Sequence, residues 1–238
     1  MMRSPIPADH RFKTLVCAGC LHTERILLNC GDRTCPYCRR KWFGYHYKNL
    51  VKIVSGWQNT ISLTLTVKNI PDVEFCAQSV KQIRNQFTRL RAFFSPALKS
   101  GFYVVQATNR GKGWHLHIHA LFDSVFVSQK ELSEKWKSIT GSYIVYVRRV
   151  PRSGIRKAVG YLLSDFQGAP RIRPFDNFAY NQAFKSSRLV QGFGAFLKQF
   201  REKFFRCPVC GGVKWYCLEA VYFGNEYREV LDEAFDSS

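Results

Sequence analysis

Residues 114–122 read Trp114-His115-Leu116-His117-Ile118-His119-Ala120-Leu121-Phe122. Polar and apolar side chains alternate with period two, the pattern of a β-strand with two unlike faces. The alternation puts His115, His117 and His119 on one face and Leu116, Ile118, Ala120 and Phe122 on the other. The apolar face calls for a cover of helices. The imidazole face is expected to stay open.

The segments on either side fit one sheet. Asn109-Arg110-Gly111-Lys112-Gly113 is a hairpin turn by composition, so residues 102–108 pair with 114–122. Ile61 to Val67 alternates in the same way, with Ser62, Thr64 and Thr66 on one face. Residues 74–94 carry Phe75, Val80, Ile83, Phe87 and Leu90 at helical spacing. Ser128, with Glu131 three residues on, reads as a capping box opening a helix that Gly141 ends. Residues 142–149 are a further strand.

From 58 to 150 the order is thus strand, helix, strand, strand, helix, strand. That order predicts an α+β fold, a ferredoxin-like (split βαβ) antiparallel sheet with helices on one face. Residues 40–54 and 153–166 read as further helices. Residues 177–205 read as mostly helical with a break near Gly192. A strand is expected from Lys214 to Phe223.

The expected organisation has four parts. These are a cysteine-rich region with a basic helix at 1–56, the split βαβ domain at 57–168, a helical extension at 169–205, and a cysteine knuckle, strand and acidic tail at 206–238.

Composition narrows the partners. The chain has 238 residues, with 36 Lys+Arg against 17 Asp+Glu and a net charge of +19. An excess this large points to a polyanion, and nucleic acid fits better than a membrane surface. No apolar run approaches the roughly 20 residues of a membrane span. A soluble, cytoplasmic protein is expected.

Three alternating histidines are hard to explain as isolated hydrogen-bonders. Two imidazoles two residues apart, joined by an oxygen ligand from the next strand, can hold a divalent cation. Gln106 is expected opposite residues 115–117 and supplies that oxygen. His117, His119, Gln106 and His115 are therefore the candidate ligands. Three protein ligands leave open positions for a phosphate oxygen and water. On the helix 153–166, Tyr161 falls nearly opposite the apolar stripe of Ile155, Val159, Leu162 and Phe166. It sits beside Lys157. A phenol is a weak nucleophile near neutral pH, but a neighbouring cation and a metal-polarised phosphate suit it.

The nine cysteines suggest zinc rather than disulfides, since most fall in close pairs. Cys17, Cys20, Cys35 and Cys38 follow C-x₂-C-x₁₄-C-x₂-C, a structural zinc spacing. Cys30 is an alternative member. Cys207 and Cys210 begin a second knuckle, with Cys217 nearby and Cys30 as a distant fourth ligand. That arithmetic leaves Cys76 as the free thiol.

Together these elements resemble the HUH endonucleases, and within them the rolling-circle replication initiators of small plasmids and phages. The resemblance rests on Cys30-Gly31-Asp32-Arg33-Thr34-Cys35-Pro36-Tyr37-Cys38, Ser62-Leu63-Thr64-Leu65-Thr66, Gly113 to His119, and Val159-Gly160-Tyr161. Lys185 to Val190 is a weaker downstream echo. The resemblance implies that Tyr161 attacks a DNA phosphodiester, leaving a 5′-phosphotyrosyl link and a free 3′-hydroxyl. It implies Mg²⁺ or Mn²⁺ on His117 and His119, with Zn²⁺ as the structural ion.

The implied partners are single-stranded DNA or an origin hairpin and host replication proteins, in a prokaryotic cytoplasm. Thr64, Thr66, Arg156, Lys157 and Arg188 are the expected DNA contacts. Gln106 stands where this family often has a carboxylate, and Ser164 stands where it tends to have lysine. Two other readings are an HUH transposase acting on mobile-element ends and a non-catalytic zinc-bearing binder of nucleic acid.

Overall fold

The computed structural model describes residues 12–28, 30–95, 97–125, 127–164, 171–185, 187–188, 190–197, 206–223 and 226–234, the backbone alone at 12, 27 and 217–234. The chain forms two compact units. One draws on both ends, Met1–Gly31 with Glu202–Ser238, and the other is Asp32–Arg201.

The unit made from the two ends is a four-stranded antiparallel sheet. Its strands are β1 (Phe12–Cys17), β2 (Thr23–Leu27), β8 (Trp215–Phe223) and β9 (Glu226–Ala234), in the order β2-β1-β8-β9. Cys17 pairs with Trp215 in register, which joins segments from opposite ends of the chain. Leu15, Cys17, Cys207 and Trp215 make its small core.

The larger unit is built on a five-stranded antiparallel sheet. In chain order it contains α1 (Pro36–Ser55), β3 (Thr60–Thr66), α2 (Ala77–Phe93), β4 (Gly101–Asn109), β5 (Trp114–Asp123), α3 (Gln129–Thr140), β6 (Val145–Val150), α4 (Ile155–Leu162), α5 (Asn177–Ala183) and β7 (Gln191–Phe193). The strand order is β6-β3-β5-β4-β7. The molecule is thus α+β with antiparallel sheets.

The apolar face of β5 is covered as its alternation requires. Leu116, Ile118, Ala120 and Phe122 pack with Ile61, Leu63 and Leu65 of β3 and with Val80, Ile83, Phe87 and Leu90 of α2. Leu132 and Trp136 of α3 join them, and the Trp136 indole donates to the Thr66 carbonyl at 2.7 Å. Gly141 ends α3 in the left-handed conformation, φ 75°, which a side chain would disfavour.

Several expectations need correction. Helices do not keep to one face. Leu50 and Val54 of α1 and Ile155, Ala158, Val159 and Leu162 of α4 pack on Phe102, Val104 and Leu121, which share the histidine side of the sheet. The physical cause is β4 itself. Its run Phe102-Tyr103-Val104-Val105 is apolar on both sides and must be buried on both.

Ser128 starts α3 without making a side-chain cap, so the capping box with Glu131 is not formed. The helix expected at 153–166 is α4, preceded by a 3₁₀ turn at Arg152–Gly154; Phe166 lies outside the described residues. Among the described residues of the expected helical stretch 177–205, the helical segments are α5 and a 3₁₀ turn at Gly194–Phe196. Gln191–Phe193 instead pairs with β4, where Phe193 packs against Phe87, Tyr103 and Phe122. The turn-rich N-terminus carries two strands, and part of the acidic end is a strand.

No helix among the described residues is long and apolar enough to cross a membrane.

Candidate active site

The register of β3, β4 and β5 assembles a polar patch on one sheet face. His117 lies opposite Gln106 on one side and Thr66 on the other, and His119 lies between Val104 and Thr64. Side chains directly opposite in an antiparallel pair share a face. The face is polar at the His117 end and apolar at the Leu121 end, where α1 and α4 sit.

Gln106 is 3 % exposed and is satisfied at both ends of its amide. Its Oε1 lies 2.9 Å from His117 Nε2. Its Nε2 donates to the Leu162 carbonyl at 3.3 Å and, more weakly, to Ser164 Oγ at 3.4 Å. His119 is 5 % exposed, and its Nδ1 lies 3.0 Å from the Thr64 hydroxyl. The His117 and His119 rings meet edge to face with centroids 4.8 Å apart. Burial pushes the His117 imidazole down to about 4 and that of His119 down to about 3. Both rings are therefore neutral near pH 7, the form in which a ring nitrogen can bind a metal.

These residues fit a divalent cation. Two ligand atoms about 2.1 Å from one ion at a right angle stand about 3 Å apart, as His117 Nε2 and Gln106 Oε1 do. His117 Nδ1 is buried and has no hydrogen-bond partner among the described residues. The Thr64 hydroxyl can fix the His119 tautomer by bonding Nδ1 and leaving Nε2 for the metal, a common support for ligating histidines. His115 is less integrated. It pairs with Thr108 at the rim, and the three histidines do not form a set with all donor atoms within 4.8 Å.

Tyr161 projects from α4 on the same side. Its ring meets His119 edge-on, with centroids 4.9 Å apart and an interplanar angle of 77°. It is 53 % exposed, so one edge is held by the histidine while the side chain remains accessible. Lys157 and Arg156 are exposed on the same helix, and Arg188 is exposed elsewhere in the unit.

Thr64, one of the expected DNA contacts, bonds His119 Nδ1. Thr66 Oγ1 reaches the Ile144 carbonyl at 3.5 Å. Sequence reasoning missed Arg171, whose charge adds to the depression of the His117 imidazole behind burial and the His115 ring. Its carbonyl accepts from Asn109 N at 3.0 Å, anchoring its loop to the hairpin. Nothing in that loop's composition marks the residue.

The cysteines sort differently from the expected pairing. Cys17, Cys20, Cys207 and Cys210 form one group with all sulfurs within 4.8 Å, and Cys30, Cys35 and Cys38 form another. Cys17 and Cys210 lie 3.5 Å apart, as do Cys20 and Cys207. The reason is the β1–β8 pairing, which brings the two C-x₂-C turns side by side; local spacing carries no trace of it. Gly19 N and Gly212 N each donate to a cysteine sulfur at 3.4 Å, and the Gly19 bond leads in holding the Cys17 thiol down at about 7. A set of four thiols suits structural zinc. Cys76 caps α2, and the side chain of Cys217 lies outside the described ones.

No protein-family model, curated protein or solved structure matches this chain.

Proposed function

We propose that this chain is a divalent-metal-dependent DNA-nicking and joining enzyme of the HUH type, a rolling-circle replication initiator acting on single-stranded DNA or an origin hairpin. The fold in this reading is the ferredoxin-like split βαβ plan. The strand order β6-β3-β5-β4 with α2 and α3 as the two crossovers supports it. The observation that carries the proposal is the contact of the Tyr161 ring with His119, two residues along the same strand face from the His117–Gln106 pair.

In the reaction, the Tyr161 oxygen attacks a backbone phosphorus. The bond to that oxygen forms as the bond to the 3′ oxygen breaks, and the phenolic proton is balanced by the proton gained on the new 3′-hydroxyl. A Mg²⁺ or Mn²⁺ held by His117, His119 and Gln106 would supply Lewis-acid polarisation of the phosphate. Thr64 keeps His119 in its ligating tautomer. Gln106 fixes the end of the helix that carries the nucleophile. Lys157 and Arg171 bring positive charge to the phosphate. Structural Zn²⁺ on the cysteine groups stabilises the fold and takes no part in the chemistry.

The test is cleavage of a panel of single-stranded and hairpin oligonucleotides with added Mn²⁺. Metal-dependent cleavage leaving a free 3′-hydroxyl supports the reading. Cleavage by His117→Ala/His119→Ala at the wild-type rate contradicts it.

A further inference from the structure

The sheet face that carries the histidines ends at β6, an edge strand. Tyr146 lies opposite Thr64, and Arg148 lies opposite Ser62. Thr64 in turn lies opposite His119. Tyr146, Thr64 and His119 therefore form one row across three neighbouring strands, all on one face. Two strand spacings put the Tyr146 backbone about 10 Å from that of His119.

Tyr146 is 70 % exposed, and Ile144, two residues earlier in the chain, is also exposed. The helices on this side pack over Phe102, Val104 and Leu121 and over Val150 at the C-terminal end of β6, while Tyr146 nearer its start stays open. Arg148 is exposed, and it makes no ion pair among the described residues. An open aromatic ring beside an exposed guanidinium, on a chain of net charge +19, has the chemistry of a single-stranded nucleic-acid platform. The ring offers a face to any base, and the arginine meets the phosphate or stacks in its turn.

We propose that Tyr146 and Arg148 form a base-stacking subsite for single-stranded DNA. It would receive a nucleotide next to the phosphate held at the histidines. This inference rests on the nicking function proposed above and adds the surface that positions its substrate. It also accounts for an edge strand that displays Tyr146 and Arg148 on one face, where a strand from another protein would otherwise add.

The experiment is fluorescence anisotropy of a labelled single-stranded oligonucleotide with the full chain, no divalent cation added, so that binding is read apart from cleavage. Tyr146→Ala is expected to weaken binding roughly tenfold, and Tyr146→Phe to stay within about twofold of wild type. Both variants should melt as wild type does, since the ring is exposed.

Equal binding by wild type and Tyr146→Ala overturns the subsite, whatever the nicking assay shows. So does a Tyr146→Phe variant as weak as Tyr146→Ala, which would assign the effect to the hydroxyl. Tenfold weakening in a protein that forms no nick upholds the subsite and overturns the nicking function. A wild-type chain that binds no single-stranded DNA overturns both.

Discussion

Gln106 Nε2 donates to the carbonyl of Leu162 across 3.3 Å, while the oxygen of the same amide faces His117 Nε2. One buried side chain thus ties the candidate metal centre to the last turn of the helix that carries Tyr161. It also explains why an amide stands at this position. A carboxylate would turn an oxygen lone pair toward the Leu162 carbonyl.

Gln106→Glu is therefore expected to split two properties. Its added charge should tighten Mn²⁺ binding, while the lost N–H bond loosens the end of α4 at a cost of about 1–3 kcal/mol. Calorimetric titration with Mn²⁺ and hydrogen exchange at residues 159–164 read the two effects. Unchanged exchange would contradict the anchoring role.

Thr64→Val removes the partner of His119 Nδ1 while keeping the shape of the side chain. Mn²⁺ affinity should fall about 10- to 100-fold, the usual effect of losing such a support. Paramagnetic resonance of free Mn²⁺ measures it directly. Wild-type affinity would show that the hydroxyl does not orient the ring.

The acid sensitivity of the fold follows from the same histidines. An exposed imidazole titrates near 6.5, whereas His117 and His119 are held by burial at about 4 and about 3. The unfolded chain therefore takes up these protons first as the pH falls. Their contribution to stability is complete above about pH 6.5 and is lost as the pH drops toward the folded values. Melting temperatures between pH 7 and 4.5 should fall more steeply for wild type than for His117→Gln/His119→Gln. Equal slopes would contradict the burial argument.

The four-cysteine group makes a sharp prediction about zinc. The sulfurs of Cys17, Cys20, Cys207 and Cys210 lie within 4.8 Å of one another, close enough to supply the four ligands of a zinc ion without Cys217. Cys217→Ser should leave the zinc content of the purified protein unchanged, and Cys207→Ser should lower it by one ion. Native mass spectrometry counts the ions. Loss of zinc in Cys217→Ser would reinstate it as a ligand.

Much of the larger unit is legible in the sequence because its signals are local. The period-two run at 114–122, the turn at Asn109–Gly113 and the 80–83–87–90 spacing each report one element. What escaped was set by distant partners. The cysteine grouping depends on a strand pairing between residues about 200 positions apart. Gln191–Phe193 becomes a strand because β4 offers it an edge and Phe87 a packing partner. The second layer of helices was readable after all, since Phe102 to Val105 breaks the alternation that a half-exposed strand would show.

Within the site, the register between Gln106 and His117 follows from the hairpin turn. The approach of Tyr161 to His119 does not, because it depends on how α4 packs on Val104 and Leu121.

The most direct test of the account is peptide mapping of protein incubated with a cleavable single-stranded oligonucleotide and Mn²⁺. The account predicts a nucleotide attached to the peptide containing Tyr161 and no adduct in Tyr161→Phe, whose DNA binding stays within about twofold of wild type. An adduct on another residue, or one that persists in Tyr161→Phe, would contradict it.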